Sequence, residues 1–369
     1  MALLHLEGFE GLGREFELTG TNPNATELVE YLDTTNGYSG TFSGGTSSLH
    51  LRRSWDGKSL ALGTGNDSTS LSLQVDGWTA LATTDAIIIG VRVKFPATLR
   101  TATPLIQILD GATVEAQLIM DTGNVLRVQY GTSNTVASTV SSIFEDNGWH
   151  YIEWKTVLDS ATSGSYELRV DGVDVASNTG VRTAQNAAAQ ADGVVLLSSG
   201  GADNTYAEQH LYDDWYICDD TGTLNNDFLG PISITLLEPN LPGTYSSWST
   251  FGTSQPVANI NPNPTVDDTT GIQSDDTPGT KQTYTMNEYH SGSIVGVRVD
   301  SRSIVTIDPI TVAHRIESGA SNDNASSYEV TDTVAHEGFF SLYETDPNTS
   351  SAWTQTGLSD AEFGVEIVA

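Results

Sequence analysis

The chain has 369 residues and a formal net charge of -32, which repels phosphate backbones and anionic lipid, so nucleic acid and membrane are excluded as natural partners. Its 38% apolar content and seven Trp call for packed cores, its 35 Gly for many turns, and its length for two domains. The single cysteine, Cys218, excludes an intramolecular disulfide framework.

The opening MALLHLEGFEGLG lacks the basic start and long apolar run of a secretion leader. No stretch approaches the roughly 18 apolar residues of a membrane span. The expectation is a chain made in a cytoplasm and released, if at all, by lysis.

Strand patterns dominate from residue 86 onward. In AIIIGVRVKF, Ile87, Ile89, Val91, Val93 and Phe95 share one face, with Arg92 and Lys94 on the other. PLIQIL (104–109), VEAQLIM (114–120) and VLRVQY (125–130) follow, separated by turn signals, which predicts an antiparallel meander. Its last strand turns Leu126, Val128 and Tyr130 inward and Arg127 and Gln129 outward. In GWHYIEWKTVLDSATSGSYELRVDGVDVAS (148–177), Ile152, Trp154, Thr156 and Leu158 share one face, and Tyr151, Glu153 and Lys155 the other. Tyr166, Leu168 and Val170 point inward, and Asp171-Gly172 between valines predicts a two-residue hairpin.

Two more strands, VVLLSS (194–199) and HLYDDWYICDD (210–220), complete the first domain, residues 1–235. Residues 236–290, with Pro256, Pro262, Pro264 and Pro278 among Asn, Asp and Thr, read as a linker or docking arm. Strand patterns resume in a smaller β domain, residues 291–369, where Ser359-Asp-Ala-Glu362 has the form of a helix capping box. No amphipathic helix of three turns is visible, so the fold class is all-β and a parallel α/β fold is excluded.

Several residues invite a chemical reading. Glycoside hydrolysis needs two carboxyls facing one cleft, and the candidates are Glu153 and the pair Asp213-Asp214. Adjacent strand residues point to opposite faces, so that pair does not line one cleft, and Glu153 reads as a solvated outer-face acid. Cys218 lies beside acids, which raise a thiol's pKa. The histidines show no metal spacing. The catalytic, cofactor-binding and metal sites are therefore all expected to be none. Calcium is the one cofactor the acids suggest, through Asp213, Asp214, Asp219, Asp220, Asn225, Asn226 and Asp227. Trp55, Trp78, Trp215, Trp248 and Trp353 are candidate platforms for stacking on sugar rings, with burial in a core the competing reading.

The order Gly148-Trp149-His150-Tyr151-Ile152-Glu153, then Tyr166-Glu167-Leu168-Arg169-Val170-Asp171-Gly172-Val173, then Leu211-Tyr212-Asp213-Asp214-Trp215-Tyr216-Ile217 resembles the concanavalin A-like, laminin G-like jelly roll. That resemblance implies two stacked sheets over residues 1–235. More narrowly, DDWYICDDTGTLNNDFLG (213–230) and the close at Trp353 and Gly364-Val365-Glu366-Ile367-Val368 resemble tailed-bacteriophage virion proteins. Enzymes of the jelly-roll family carry an E-x-D-x-E strand, which is missing here, so the resemblance implies the fold without hydrolysis. The resulting expectation is a non-enzymatic virion structural protein on the particle exterior, decorating a capsid or forming a tail appendage. It would be a homo-oligomer, with a trimer suiting such a position, bound to other virion proteins. The alternative is a carbohydrate-binding host-recognition module that grips a host-surface glycan with help from calcium.

Overall fold

The computed structural model describes Leu32 and residues 2–10, 37–41, 49–53, 58–62, 71–95, 102–121, 123, 125–138, 144, 148–198, 210–251, 271–274, 276–287, 292–306, 308–333 and 336–369. The chain forms two units, one reaching Ile234 and one spanning Thr235–Ala369.

The first unit is a sandwich of two antiparallel sheets. One is eight-stranded and contains β1 (Leu3–Glu7), β3 (Leu49–Arg53), β4 (Lys58–Leu62) and β6 (Ala86–Lys94). It also contains β11 (Trp149–Val157), β12 (Gly164–Val170), β13 (Val173–Val181) and β15 (His210–Asp219). Its order is β13-β12-β11-β6-β15-β4-β3, with β1 paired to β15. The other sheet is seven-stranded: β2 (Tyr38–Thr41), β5 (Leu71–Asp76), β7 (Thr103–Asp110), β8 (Thr113–Met120), β9 (Leu126–Tyr130), β10 (Asn134–Ser138) and β14 (Gly193–Ser198). Its order is β10-β9-β8-β7-β14-β5-β2.

Period-2 alternation explains the layering. Ile89, Val91, Ile152, Trp154 and Leu168 are buried on the inward side of the first sheet, and Ile106, Leu118, Val128 and Leu196 on that of the second. Each such side chain contributes about 1.5–3 kcal/mol by leaving water. Tyr212 of β15 spans the interior, its hydroxyl donating to the Leu197 carbonyl of β14 at 2.5 Å. Asp171 and Gly172 take the left-handed conformation, with φ of 52° and 78°, that their hairpin requires. The turn also pins β11, because Asp171 Oδ1 accepts from the Tyr151 amide and Oδ2 lies 2.8 Å from His150 Nδ1.

The second unit is also β. Strands β16 (Pro239–Ser246), β19 (Lys281–Met286), β21 (Ile310–Ser318), β22 (Ser321–Asn324), β23 (Tyr328–Val330) and β27 (Glu362–Ile367) form a six-stranded sheet. Beside it, β20 (Val297–Ser303) pairs with β24 (Glu337–Tyr343), β17 (Ser249–Phe251) with β18 (Gly271–Gln273), and β25 (Thr345–Asp346) with β26 (Ser351–Ala352). The stretch 236–290 therefore contributes β16 and β19 to a sheet. Its Pro239 and Pro242 are tolerated because β16 is an edge strand with register shifts at both. Pro256, Pro262 and Pro264 lie outside the described residues.

Trp353, Phe363, Tyr343 and Ile316 fill one core of this unit, and Phe339, Val312, Val330 and Ile367 a second. The short helix α1 (Gln355–Asp360) starts earlier than the Ser359–Glu362 pattern suggests, because the Thr354 side chain already caps it by accepting from the Gly357 amide. Glu362 instead accepts from the Thr244 amide, the Thr244 hydroxyl and the Thr283 hydroxyl. Burial opposes its ionisation, but these bonds prevail and hold the carboxyl below its usual range.

Candidate functional site

The residues that looked most chemical lie on the outward face of the eight-stranded sheet, beneath the chain's own residues 227–234. Glu153 is fully buried there rather than solvated. Its Oε1 accepts from the Tyr216 hydroxyl at 2.6 Å and the Gly230 amide at 2.8 Å. Desolvation raises the Glu153 carboxyl above its ordinary value despite both bonds. Gly90 makes room for this arrangement: a Cβ at that position would lie 2.0 Å from Tyr216 Cε1.

Strict alternation fails at Asp213-Asp214. Asp213 pairs with Arg92 and Tyr216 with Gly90, so β15 carries a bulge between them, and Asp214 takes φ 48°. The bulge lets Trp215 enter the core, where its ring lies 4.6 Å from that of His5. Asp214, on the outward side, binds Arg92 Nε at 2.9 Å and the Ile234 amide at 2.7 Å. Arg92 in turn donates to the Ile232 carbonyl, and Tyr151 to the Asp214 carbonyl. These acids clamp the 227–234 segment; they do not flank an open cleft.

The calcium candidates are likewise committed to internal partners. Asp213 accepts from the Asp214 amide, Asp219 from Thr221, Asp220 from the Ala86 amide, and Asp227 from Lys155. Asn225 and Asn226 lie near them in sequence, yet among the described residues no group of three or more His, Cys, Asp or Glu is arranged to hold a metal ion. Cys218 is buried, its thiol facing the Asp227 carbonyl at 3.9 Å. Of the candidate sugar platforms, Trp215 and Trp353 are core residues and Trp78 and Trp248 half-buried. Trp55 lies outside the described residues.

The seven-stranded sheet holds a feature that single-strand patterns did not reveal. Register places Gln107 of β7 opposite Gln117 of β8, and Gln117 opposite Gln129 of β9. Their amides form a continuous line on the outward face. Gln107 Nε2 donates to Gln117 Oε1 at 2.8 Å, Gln117 Nε2 to Gln129 Oε1 at 2.8 Å, and Gln129 Nε2 to Thr135 Oγ1 of β10 at 3.1 Å. Across β14, Val195 continues the row to Gln74 of β5. Gln117 and Gln129 are 2% and 7% exposed, Gln107 and Gln74 half-buried, and Thr135 exposed. A chain of bonds with every donor pointing one way is mutually polarised. Each amide nitrogen still carries a second N–H, and each amide oxygen a second lone pair.

The row is flanked on both sides. Toward one end, Arg127 is held by Asp121 through Nε at 2.8 Å. Toward the other, Glu115 accepts from the Asn186 amide and side chain, which ties the 182–192 loop to the sheet. Arg182 of that loop covers the Tyr130 ring at 4.3 Å.

No known protein family matches the sequence, and no curated protein does either. Solved structures do share the β-sandwich. An endo-β-1,4-glucuronan lyase from Trichoderma reesei is 11% identical, covering 56% of this chain and 93% of its own, with a TM-score of 0.34. An alginate lyase in complex with an alginate trisaccharide is 13% identical, covering 59% and 98%, with a TM-score of 0.39. The alginate lyase from Corynebacterium sp. is 11% identical, covering 47% and 82%, with a TM-score of 0.35. These findings correct the expectation of a non-enzymatic virion structural protein: these three structures are polysaccharide lyases, which are enzymes, and none of them is a virion protein. At such identities the likeness conveys the sandwich and no activity.

Proposed function

We propose that the sandwich unit is a carbohydrate-recognising domain whose binding surface is the outward face of the seven-stranded sheet. The observation that carries this reading is the amide row Gln107-Gln117-Gln129-Thr135. Neighbouring strands lie about 4.8 Å apart, close to the advance per ring of an extended polysaccharide. A glycan laid across the strands meets the half-buried Gln107 and the exposed Thr135, while Gln117 and Gln129, 2% and 7% exposed, hold those two in line. Amides suit this task because, like sugar hydroxyls, they donate and accept at once. The polar groups are also set in place before a ligand arrives, which limits the ordering cost of binding.

Affinity electrophoresis of the full chain in gels containing different polysaccharides tests the reading, with product release from each polysaccharide followed in parallel. Retardation by at least one polysaccharide, relieved in Gln107→Ala, supports it. Unchanged mobility in every gel contradicts it, as does retardation that Gln107→Ala leaves intact.

A further inference from the structure

Resting on that reading, we infer that the glycan taken by the amide row is neutral, with rings that carry hydroxyls and neither carboxylate nor sulfate. An anionic polysaccharide brings a charge with every ring or every few rings, and desolvating those charges against a protein face requires cations placed to meet them. Within the seven strands that form this sheet, Arg127 is the only Lys or Arg. Its guanidinium is already engaged, with both Nε and Nη2 bonded to Asp121 Oδ2.

Arg182, over the Tyr130 ring, is turned to the Ala184 and Gln185 carbonyls, and the remaining charges beside the row are acids. Asp76 lies beside Gln74, whose Nε2 donates to it at 2.9 Å. Glu115 lies two residues before Gln117 on the same strand. Glu115 is buried against Asn186, so the acid that a carboxylated ring bonded to the Gln74 amide would approach is Asp76, within the roughly 8 Å over which physiological salt screens. The net charge of -32 adds to that repulsion.

Among the described strands of the sandwich, the cations are concentrated in the other sheet. Arg92, Lys94, Lys155 and Arg169 all belong to its eight strands, and three of them are engaged there: Arg92 with Asp214, Lys155 with Asp227, and Arg169 with Glu167 and the Phe228 ring. Among the described strands, those that carry the regularly spaced amides are thus the ones poor in positive charge. Hydroxyl-bearing rings lose nothing by that poverty, since a neutral hydroxyl is satisfied by an amide alone.

The test is calorimetric titration of the full chain with two series of hexasaccharides. One is neutral (cellohexaose, laminarihexaose, mannohexaose, xylohexaose) and the other carboxylated (hexaglucuronate, hexaguluronate), each at low and physiological salt. The expected result is binding of a neutral hexasaccharide that changes little with salt and is weakened about tenfold, the worth of one or two lost hydrogen bonds, in Gln117→Leu and in Gln107→Ala. Gln107 is half-buried, so its variant keeps the test decisive if the buried Gln117→Leu misfolds. Binding confined to the carboxylated series but still weakened by Gln107→Ala would overturn the neutral assignment and leave the binding face intact. Binding that a folded Gln107→Ala does not alter, or no binding in either series, would overturn the face itself.

Discussion

On the eight-stranded sheet, the outward Arg92, Glu153 and Asp214 are each bonded to the chain's own 227–234 segment, whereas the outward glutamines of the seven-stranded sheet bond to one another and to Thr135. Both faces read alike along a single strand, as polar residues alternating with apolar ones. The difference lies in what satisfies them. A charge on an outward face commits the structure to a specific partner, here supplied by the same chain, because a desolvated charge without one is too costly. A neutral amide row satisfies its neighbours and keeps spare donors and acceptors.

Asp214→Ala breaks the contrast most severely. It strips the half-buried Arg92 of its carboxylate partner and the Ile234 amide of its acceptor, and about 3–5 kcal/mol of unfolding free energy should disappear. Denaturant unfolding measures this, and a loss below the error of the extrapolation would show that the 227–234 segment is not clamped by Asp214. Gly90→Ala comes next. The added methyl must displace the Tyr216 ring and with it the bond to Glu153, at a cost of about 1–3 kcal/mol. A melting temperature equal to wild type would contradict the packing.

Arg127→Gln probes the other sheet. Arg127 and Asp121 are partly exposed, so their pair should be worth less than about 1 kcal/mol. The variant should unfold nearly as wild type does, and a large loss would make the flank of the amide row a structural clamp like that of Asp214.

The smallest effect is a pH dependence. Burial raises the Glu153 carboxyl above 4.5, so its folded value exceeds its unfolded one. Its contribution is then full below that unfolded value and is lost as pH rises through the folded value. Glu153→Gln cannot ionise, and its stability relative to wild type should increase as pH is raised from 4.5 toward 8. A constant or shrinking gap across that range would contradict the burial of Glu153.

Much of the sandwich was legible because strand faces obey period 2. The inward sets Ile87, Ile89, Val91, Val93 and Ile152, Trp154 are buried as their spacing predicts, and Asp171-Gly172 forms its hairpin. The clamp was not legible, because alternation assumes an unbroken ladder and the bulge at Asp214 breaks it. Nor does the composition of NDFLGPISI (226–234) announce a segment laid along a sheet. In residues 236–290 the linker reading rested on Pro256, Pro262, Pro264 and Pro278, whereas the edge strand β16 holds Pro239 and Pro242, which an edge tolerates.

The amide row had a faint signal. Gln107 and Gln117 are equidistant from Ala112, and Gln117 and Gln129 from Gly123, both at turns of the meander. Reading the hairpins as folded pairs brings the three amides into register. Reading each strand alone only points Gln129 outward.

The most direct test is to follow side-chain amide resonances of Gln107, Gln117 and Gln129 while a neutral oligosaccharide that binds the protein is titrated in. If these amides hold the glycan, their signals shift in step with binding while the backbone amides of Gly230 and Ile234, on the opposite face, stay in place. If the glutamine signals do not move, or the shifts gather around Gly230 and Ile234 instead, the amide row is not the binding surface.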